Sequence, residues 1–187
     1  MKKIVFALLL CASFGYAQEK KLSEPSLFIS KSDQIQINMD ENEKATFKSG
    51  LGETVEFYPS EIIDLKNNTR VKGLAIESTF IVGSQGMGTK YSKETGWVGM
   101  DELGEMIEWF EKYAVPNINK EMEKNKTTKY IYNSKEVMIT LVMNSNSKMF
   151  IVSLKNSLYI DKYFWTETKV KEIPSVLKTI KYLQSKN

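Results

Sequence analysis

Apolar runs separated by short polar breaks fill the segment from Lys129 to Thr168. The runs cover residues 130–132, 137–143, 149–154 and 158–168, and Asn- and Ser-rich breaks stand between them. β-Branched and aromatic runs bounded by Asn and Ser clusters are typical of strands joined by tight turns. This segment therefore predicts a four-stranded antiparallel meander.

In the last run of this meander, apolar residues alternate with residues that are polar or carry a polar group. Leu158, Ile160 and Phe164 alternate with a more polar and aromatic set. Because strand side chains alternate between the two faces of a sheet, the second set is expected on the face opposite the first. Tyrosines of the first run and small polar residues of the middle runs are expected to join it. The predicted face contains Tyr159, Asp161, Tyr163, Trp165, Tyr130, Tyr132, Thr140 and Ser153.

Helical periodicity appears on both sides of the meander. The first helix is predicted to begin with Asp101 as its N-cap and to end before Pro116. The second covers residues 173–183, with Pro174 at a tolerated early position. The apolar faces consist of Leu103, Met106, Ile107, Phe110 and Ala114 in the first helix, and Ile173, Val176, Leu177, Ile180 and Leu183 in the second. Two such helices packed on one face of an antiparallel sheet make an α+β fold.

The amino-terminal half predicts short strands after a polar leader at 18–25. The strands are expected at 27–29, 35–37, 45–47, 54–58, 71–77 and 79–82. Pro59 is expected to end one of them, and a helical turn is expected over 60–65. The glycine-rich stretch 83–90 approaches a phosphate-binding spacing, but Thr89 and Lys90 stand in the reverse of the required order, so a flexible loop is expected. We expect a single domain over 18–187, with a strand-rich half at 18–99 and a helix–meander–helix half at 100–187.

The first seventeen residues have the pattern of a secretory signal peptide. Lys2 and Lys3 precede an apolar run that is too short to cross a membrane, and small residues at 15 and 17 predict cleavage before Gln18. Cys11 follows a leucine, which disfavours lipid attachment. No later segment has the length and apolarity of a transmembrane helix. The sequence thus predicts an exported soluble protein, periplasmic or extracellular.

Two residue types that carry much of enzyme chemistry are missing from the predicted mature chain. The sequence has no histidine, and its one cysteine, Cys11, lies in the predicted signal. Ser–His and Cys–His nucleophile pairs and zinc held by histidine or cysteine are therefore excluded. No motif names a family, and neither a cofactor nor a metal is expected.

Charge is distributed unevenly along the chain. Residues 18–115 hold seventeen acids and eleven bases, whereas residues 116–187 hold six acids and thirteen bases. Arg70 is the one arginine, and nucleic-acid recognition relies on arginine for bidentate and stacked contacts. A nucleic-acid partner is therefore not expected, and the opposite charges are expected to help the two halves dock.

Two groups of side chains are candidates for a functional site. The acid cluster of Asp101, Glu102 and Glu105 could supply a carboxylate pair for acid–base catalysis on a glycoside, although residues on one helical turn share a surface instead of facing each other across a cleft. Acids that stabilise a helix start are the alternative. The aromatic sheet face suits a sugar ring or an extended peptide, unless the amino-terminal strands cover it and its aromatics belong to the core.

No specific role follows from the sequence alone. We expect first a non-catalytic exported binding or interaction domain, with a glycan, a peptide or another envelope protein as its partner. The second expectation is a small carboxylate-dependent hydrolase of the glycoside type. The third is a structural accessory subunit of an envelope complex.

Overall fold

The computed structural model describes residues 21–85, 88–159 and 161–186. The predicted signal peptide and Ile160 lie outside these residues. No described helix is long and apolar enough to serve as a membrane span. In chain order the elements are α1 (Glu24–Lys31), β1 (Ile35–Met39), β2 (Ala45–Lys48), β3 (Thr54–Asp64), β4 (Thr69–Gln85), β5 (Gly88–Gly99), α2 (Met100–Trp109), β6 (Thr127–Asn133), β7 (Val137–Asn144), β8 (Lys148–Leu154), β9 (Phe164–Thr166) and α3 (Ile173–Gln184). This is the predicted α+β fold.

The first sheet contains β1 to β5 and is entirely antiparallel. Its order is β1-β3-β4-β5, and β2 pairs with the other half of β3. The expected end of the strand at Pro59 and the helical turn at 60–65 are wrong, because β3 continues to Asp64. The Pro59 carbonyl accepts from the Asp40 N–H, so its proline nitrogen faces the gap where β2 gives way to β1. A missing N–H is tolerated at such a break in the ladder.

The segment 27–29, expected as a strand, belongs to helix α1. The Ser23 hydroxyl accepts from the Ser26 N–H at 3.3 Å, and Pro25 stands in the first turn, where a proline favours a helix start. Phe28 and Ile29 pack against the outer side of the first sheet. The helix-favouring residues Ser23 and Pro25 therefore determine the local structure, and the short apolar run does not form a strand. The strands expected at 71–77 and 79–82 are likewise one long strand, β4.

The second sheet contains β6 to β9 in sequential order, so the predicted meander is confirmed. Its last strand is shorter than expected, because only Phe164–Thr166 pair with β8. Residues 155–159 and 161–163 form turns and irregular structure, and Leu158 is 89% exposed. The alternation of side chains along these described residues therefore does not reflect a strand.

One core joins the inner faces of both sheets and the two helices α2 and α3. The Phe47 ring of β2 lies 5.1 Å from the Phe150 ring of β8, measured between centroids. Gly96 of β5 allows Val137 and Leu154 of the second sheet to approach closely. The predicted apolar faces of both helices are buried here, with Leu177 partly buried at the margin. Both halves of the chain thus contribute to the same core.

Candidate functional site

The second sheet turns one face away from the core, and we call it the outer face. Ile131, Thr140, Ile151 and Trp165 stand directly opposite one another across the four strands. Because side chains alternate along each strand, the flanking residues two positions away point to the same side. The outer face consists of this row together with Lys129, Asn133, Met138, Val142, Met149 and Ser153, and the exposed Tyr163 directly precedes β9 at its border.

Large apolar side chains of the outer face are in contact with solvent. Trp165 is 43% exposed, Tyr163 47% and Ile131 49%, while Thr140 in the middle of the row is only 7% exposed. The flanking residues of β7 and β8 are partly buried. Grouped exposed apolar side chains are uncommon on monomers and mark interaction surfaces. The two aromatic residues at the β9 side therefore do not belong to the core.

The structure brings only part of the predicted aromatic set together. Trp165, Thr140 and Ser153 lie on the outer face, as expected, while Tyr163 is exposed but stands just before β9, outside the paired strand. Tyr159 lies in the irregular segment before β9 and is partly buried, with its N–H donating to the Ser157 hydroxyl at 2.9 Å. Its position is set by this turn and not by strand alternation.

Tyr130 and Tyr132 lie on the inner face, so the expectation that they join Trp165 is wrong. Register decides this, because Ile131, and neither tyrosine, stands opposite Thr140. The buried Tyr132 hydroxyl donates to the Glu102 carbonyl at 3.1 Å. Tyr130 stacks on Tyr113 at 5.8 Å between centroids. Burial, followed by the negative charge of Glu102, raises the pKa of Tyr132, so its hydroxyl remains a hydrogen-bond donor.

The acid cluster at the start of α2 holds local structure together. The Glu102 carboxylate accepts from the Lys135 N–H at 2.7 Å and from the Gly99 N–H at 3.4 Å. Asp101 forms an ion pair with the Lys135 ammonium at 2.6 Å, which raises the pKa of that lysine. Asp101 is not the N-cap as expected, because Gly99 occupies that position. Glu105 is exposed on the helix surface. These carboxylates converge on one turn, and they do not face each other across a cleft.

A polar cleft of about 800 Å³ lies at one end of the second sheet. Its walls are residues 118–122, the β7–β8 turn at 144–148 and residues 167, 168, 170 and 171, and its charged lining residues are Lys120, Lys148, Lys171, Glu121 and Glu167. The Lys148 ammonium already donates to the Ile118 carbonyl at 2.5 Å. None of the residues predicted as site residues is among those that line this cleft.

A buried carboxylate that sequence reasoning did not single out lies between the two sheets. Glu136 is 3% exposed. One of its oxygens accepts from the N–H and the hydroxyl of Ser23, at 2.8 and 2.6 Å, and the other accepts from the Trp97 N–H at 3.1 Å. Its partners are 113 and 39 residues away along the chain, so no local pattern indicates them. Its contacts are structural.

The chain matches no model of a known protein family, and comparison with known proteins and with solved structures finds no significant relative. Its function must therefore be inferred from its own geometry.

Proposed function

We propose that this protein is an exported, non-catalytic interaction domain that binds an apolar segment of another protein on its outer face. The observation that carries the proposal is the row of Ile131, Thr140, Ile151 and Trp165 across four strands, exposed at both ends. Export is proposed from the pattern of residues 1–17 alone.

The composition of the outer face favours a protein partner over a glycan. Apart from its aromatic residues and Lys129 on the edge strand, its large side chains are aliphatic or thioether groups, namely Ile131, Met138, Val142, Met149 and Ile151. A sugar needs hydrogen-bonding groups around the stacked ring, whereas the hydroxyl of Thr140 is buried, that of Ser153 is partly buried, and the polar side chains of Lys129 and Asn133 lie on β6, three strands from Trp165. Methionine side chains adapt to irregular apolar surfaces. Such a face gains most by removing an apolar polypeptide surface from water.

The size of the outer face favours a short segment over an obligate subunit. The strands β6, β7 and β8 have seven or eight residues and β9 has three, so at about 3.4 Å per residue and about 4.8 Å between strands the face covers roughly 400 Å². A standard protein interface buries about 800 Å² on each partner. A second copy docked through this face alone would fall well short of a stable dimer. The occupant that fits is a single amphipathic segment of another protein.

The acid cluster does not favour the hydrolase alternative, because two of its three carboxylates are already engaged. Asp101 and Glu102 hold Lys135 and the start of α2. A hydrolytic pair needs one carboxylic acid and one carboxylate on opposite sides of the scissile bond. The contacts of this cluster favour the helix-stabilising alternative.

A photo-crosslinking amino acid is placed at position 163, which is 47% exposed and leaves Trp165 in place. Used in the exporting cell, it identifies a partner, and the affinity of that partner is then measured with purified proteins. We expect Trp165→Ala to weaken binding by at least about tenfold, as for an aromatic hot spot. Because the side chain is 43% exposed, the free energy of unfolding should change by less than about 1 kcal/mol.

Tyr91→Ala is the matched control, since Tyr91 is a 46% exposed aromatic residue on β5 of the other sheet. It should leave the affinity unchanged. The proposal is overturned if the captured partner binds Trp165→Ala as tightly as the wild type. It is also overturned if this substitution destabilises the fold by several kcal/mol, since Trp165 would then be core.

A further inference from the structure

We propose that the free edge of β6 accepts an extended acidic segment of a partner protein as a fifth strand of the second sheet. The site consists of main-chain groups of β6. It goes beyond the proposed function, because it does not require the outer face to be occupied and stands apart from Trp165.

The register identifies which main-chain groups of β6 are available. The Ser134 N–H donates to the Val137 carbonyl at 2.9 Å, so this pair is of the hydrogen-bonded type. In an antiparallel ladder such pairs alternate with pairs whose main-chain groups point outward. Tyr132, Tyr130 and Thr128 therefore bond to β7. Asn133, Ile131 and Lys129 direct their N–H and C=O groups toward the free edge.

No other element occupies this edge in the part of the chain that the structure describes. β6 is the terminal strand of the second sheet. The main chains of Lys129, Ile131 and Asn133 make no hydrogen bond outside the ladder among the described residues. Their side chains are exposed as well.

The edge also lacks most of the features that block strand addition. Proteins protect exposed edges with prolines, bulges, charges or very short strands. β6 has seven residues in unbroken register with β7, contains no proline and carries one charged side chain, Lys129. The opposite edge of this sheet, β9, has only three residues. Strand addition, in which main-chain hydrogen bonds supply the affinity, therefore fits β6.

Charge around β6 favours an acidic partner segment over a second copy of this chain. Residues 124–135 contain four lysines and no acidic residue. Lys126 and Lys135 pair with Glu123 and Asp101, while Lys124 and Lys129 make no ion pair among the described residues. Two β6 edges placed together would offer each Lys129 no acidic partner, because β6 contains no acidic residue, whereas opposite charges across strands stabilise pairing. An acidic strand with an apolar residue beside Ile131 has the complementary chemistry.

A defined probe tests this proposal without knowledge of the natural partner. An end-capped octapeptide of alternating Glu and Val is titrated into the full chain, and an alternating Lys and Val octapeptide serves as the charge control. Amide hydrogen exchange, followed by NMR, should slow at Lys129, Ile131 and Asn133 when the acidic peptide binds. Exchange at Thr128, Tyr130 and Tyr132 should stay as it was, because β7 already protects these amides. The basic peptide should bind about tenfold more weakly, since it places like charges beside Lys129.

Substitutions at position 129 distinguish the contribution of the main-chain N–H to peptide binding from the contribution of the lysine charge. Lys129→Pro removes an outward N–H without breaking a bond to β7, so it should abolish peptide binding while the fold is kept. Lys129→Ala retains the N–H and should weaken binding only severalfold. Thr128→Pro removes an inward N–H and should lower stability instead.

Several results would overturn the proposal. One is unchanged peptide affinity in Lys129→Pro, and another is peptide-induced protection that does not alternate along β6. Protection of the β6 amides together with dimerisation in the absence of peptide would show that a second copy occupies the edge. Trp165→Ala should leave peptide binding intact, because β9 lies three strand spacings, about 14 Å, from β6. Failure at the edge and failure at the outer face are thus distinguishable.

Discussion

At the scale of single residues, the buried carboxylate of Glu136 connects three parts of the fold. Its two oxygens accept three hydrogen bonds from Ser23 and Trp97, and its carbonyl accepts from the Lys155 N–H at 2.7 Å. It thereby connects the segment before α1, the strand β5 and the end of β8. A carboxylate has four lone-pair sites and no donor, so it matches a site that presents only donors.

Glu136→Gln tests this role with almost no change in side-chain shape. The new amide group must turn an NH₂ toward Ser23 or Trp97, which leaves buried donors unpaired. We expect the free energy of unfolding to fall by about 2–3 kcal/mol in urea denaturation. The control is Glu108→Gln, which removes an exposed helix-surface ion pair with Lys112 and should cost less than about 0.5 kcal/mol. Equal, small effects of both substitutions would contradict a structural role for Glu136.

Elements whose boundaries are set by local chemistry were predictable from the sequence. The β7–β8 turn is an example, because the Asn144 carboxamide oxygen accepts from the N–H groups of Asn146 and Ser147, each at 2.8 Å. Such turns give Asn and Ser their strong local signal. The amphipathic faces of α2 and α3 were predictable for the same reason, since the helical period is written in the sequence.

Elements that depend on distant contacts were not predictable. Residues 158–163 alternate as a strand would, but the Leu158 N–H donates to the Glu94 carboxylate of β5 at 3.1 Å, and the Lys162 N–H closes a turn onto the Tyr159 carbonyl. β3 continues through Pro59 because two different strands pair with its two halves. Neither arrangement can be recognised from a short window of sequence, because the residues in contact are far apart along the chain.

The close contact between the two sheets depends on Gly96 of β5, and this gives a prediction for the substitution of glycines. A Cβ atom at Gly96 would lie 2.9 Å from Leu154 Cδ2 and 3.0 Å from Val137 Cγ2. Gly96→Ala should therefore destabilise the protein by about 1–3 kcal/mol through overpacking. Gly104 has no atom within 4 Å of the same position and lies in α2, so Gly104→Ala should stabilise by about 0.5–1 kcal/mol. Opposite shifts in the thermal midpoint are the expected result, and two shifts of the same sign would contradict it.

At the scale of the whole molecule, the residues of the outer face could be predicted from the sequence only in part. Trp165, Tyr130 and Tyr132 are indistinguishable as strand aromatics, and only strand register places the tryptophan outside and the two tyrosines inside. The uneven charge of the chain does correspond to contacts between its parts. Lys178 pairs with Glu43 at 3.2 Å and Lys181 with Glu111 at 2.5 Å. Exposed pairs of this kind contribute little individually, so the shared apolar core remains the main connection.

The last helix is also tied to the β1–β2 turn by a titratable contact. The Tyr182 hydroxyl donates to the Asp40 carboxylate at 2.8 Å, and nearby the Thr179 hydroxyl donates to the Glu43 carbonyl. This hydrogen bond lowers the pKa of Asp40 from its ordinary value of 3.8 and raises the pKa of Tyr182 above 10.0. Because the folded-state pKa of Asp40 is depressed, its contribution is complete above the unfolded value and is lost as the pH falls through the folded value. The tyrosine behaves in the opposite sense, and its contribution is complete below pH 10.0 and is lost as the pH rises through its folded-state pKa.

Tyr182→Phe should therefore lower the urea midpoint between pH 4 and pH 10, roughly, and the difference from the wild type should shrink below that window as Asp40 becomes protonated. Midpoints measured at about pH 7 and about pH 2.5 are sufficient to check this. Tyr91→Phe is the matched control, because the Tyr91 hydroxyl donates to the uncharged Leu51 carbonyl at 3.4 Å. Its small effect should not vary across the acidic range. A difference for Tyr182→Phe that is the same at both pH values would show that the hydroxyl acts through packing and not through its hydrogen bond to the Asp40 carboxylate.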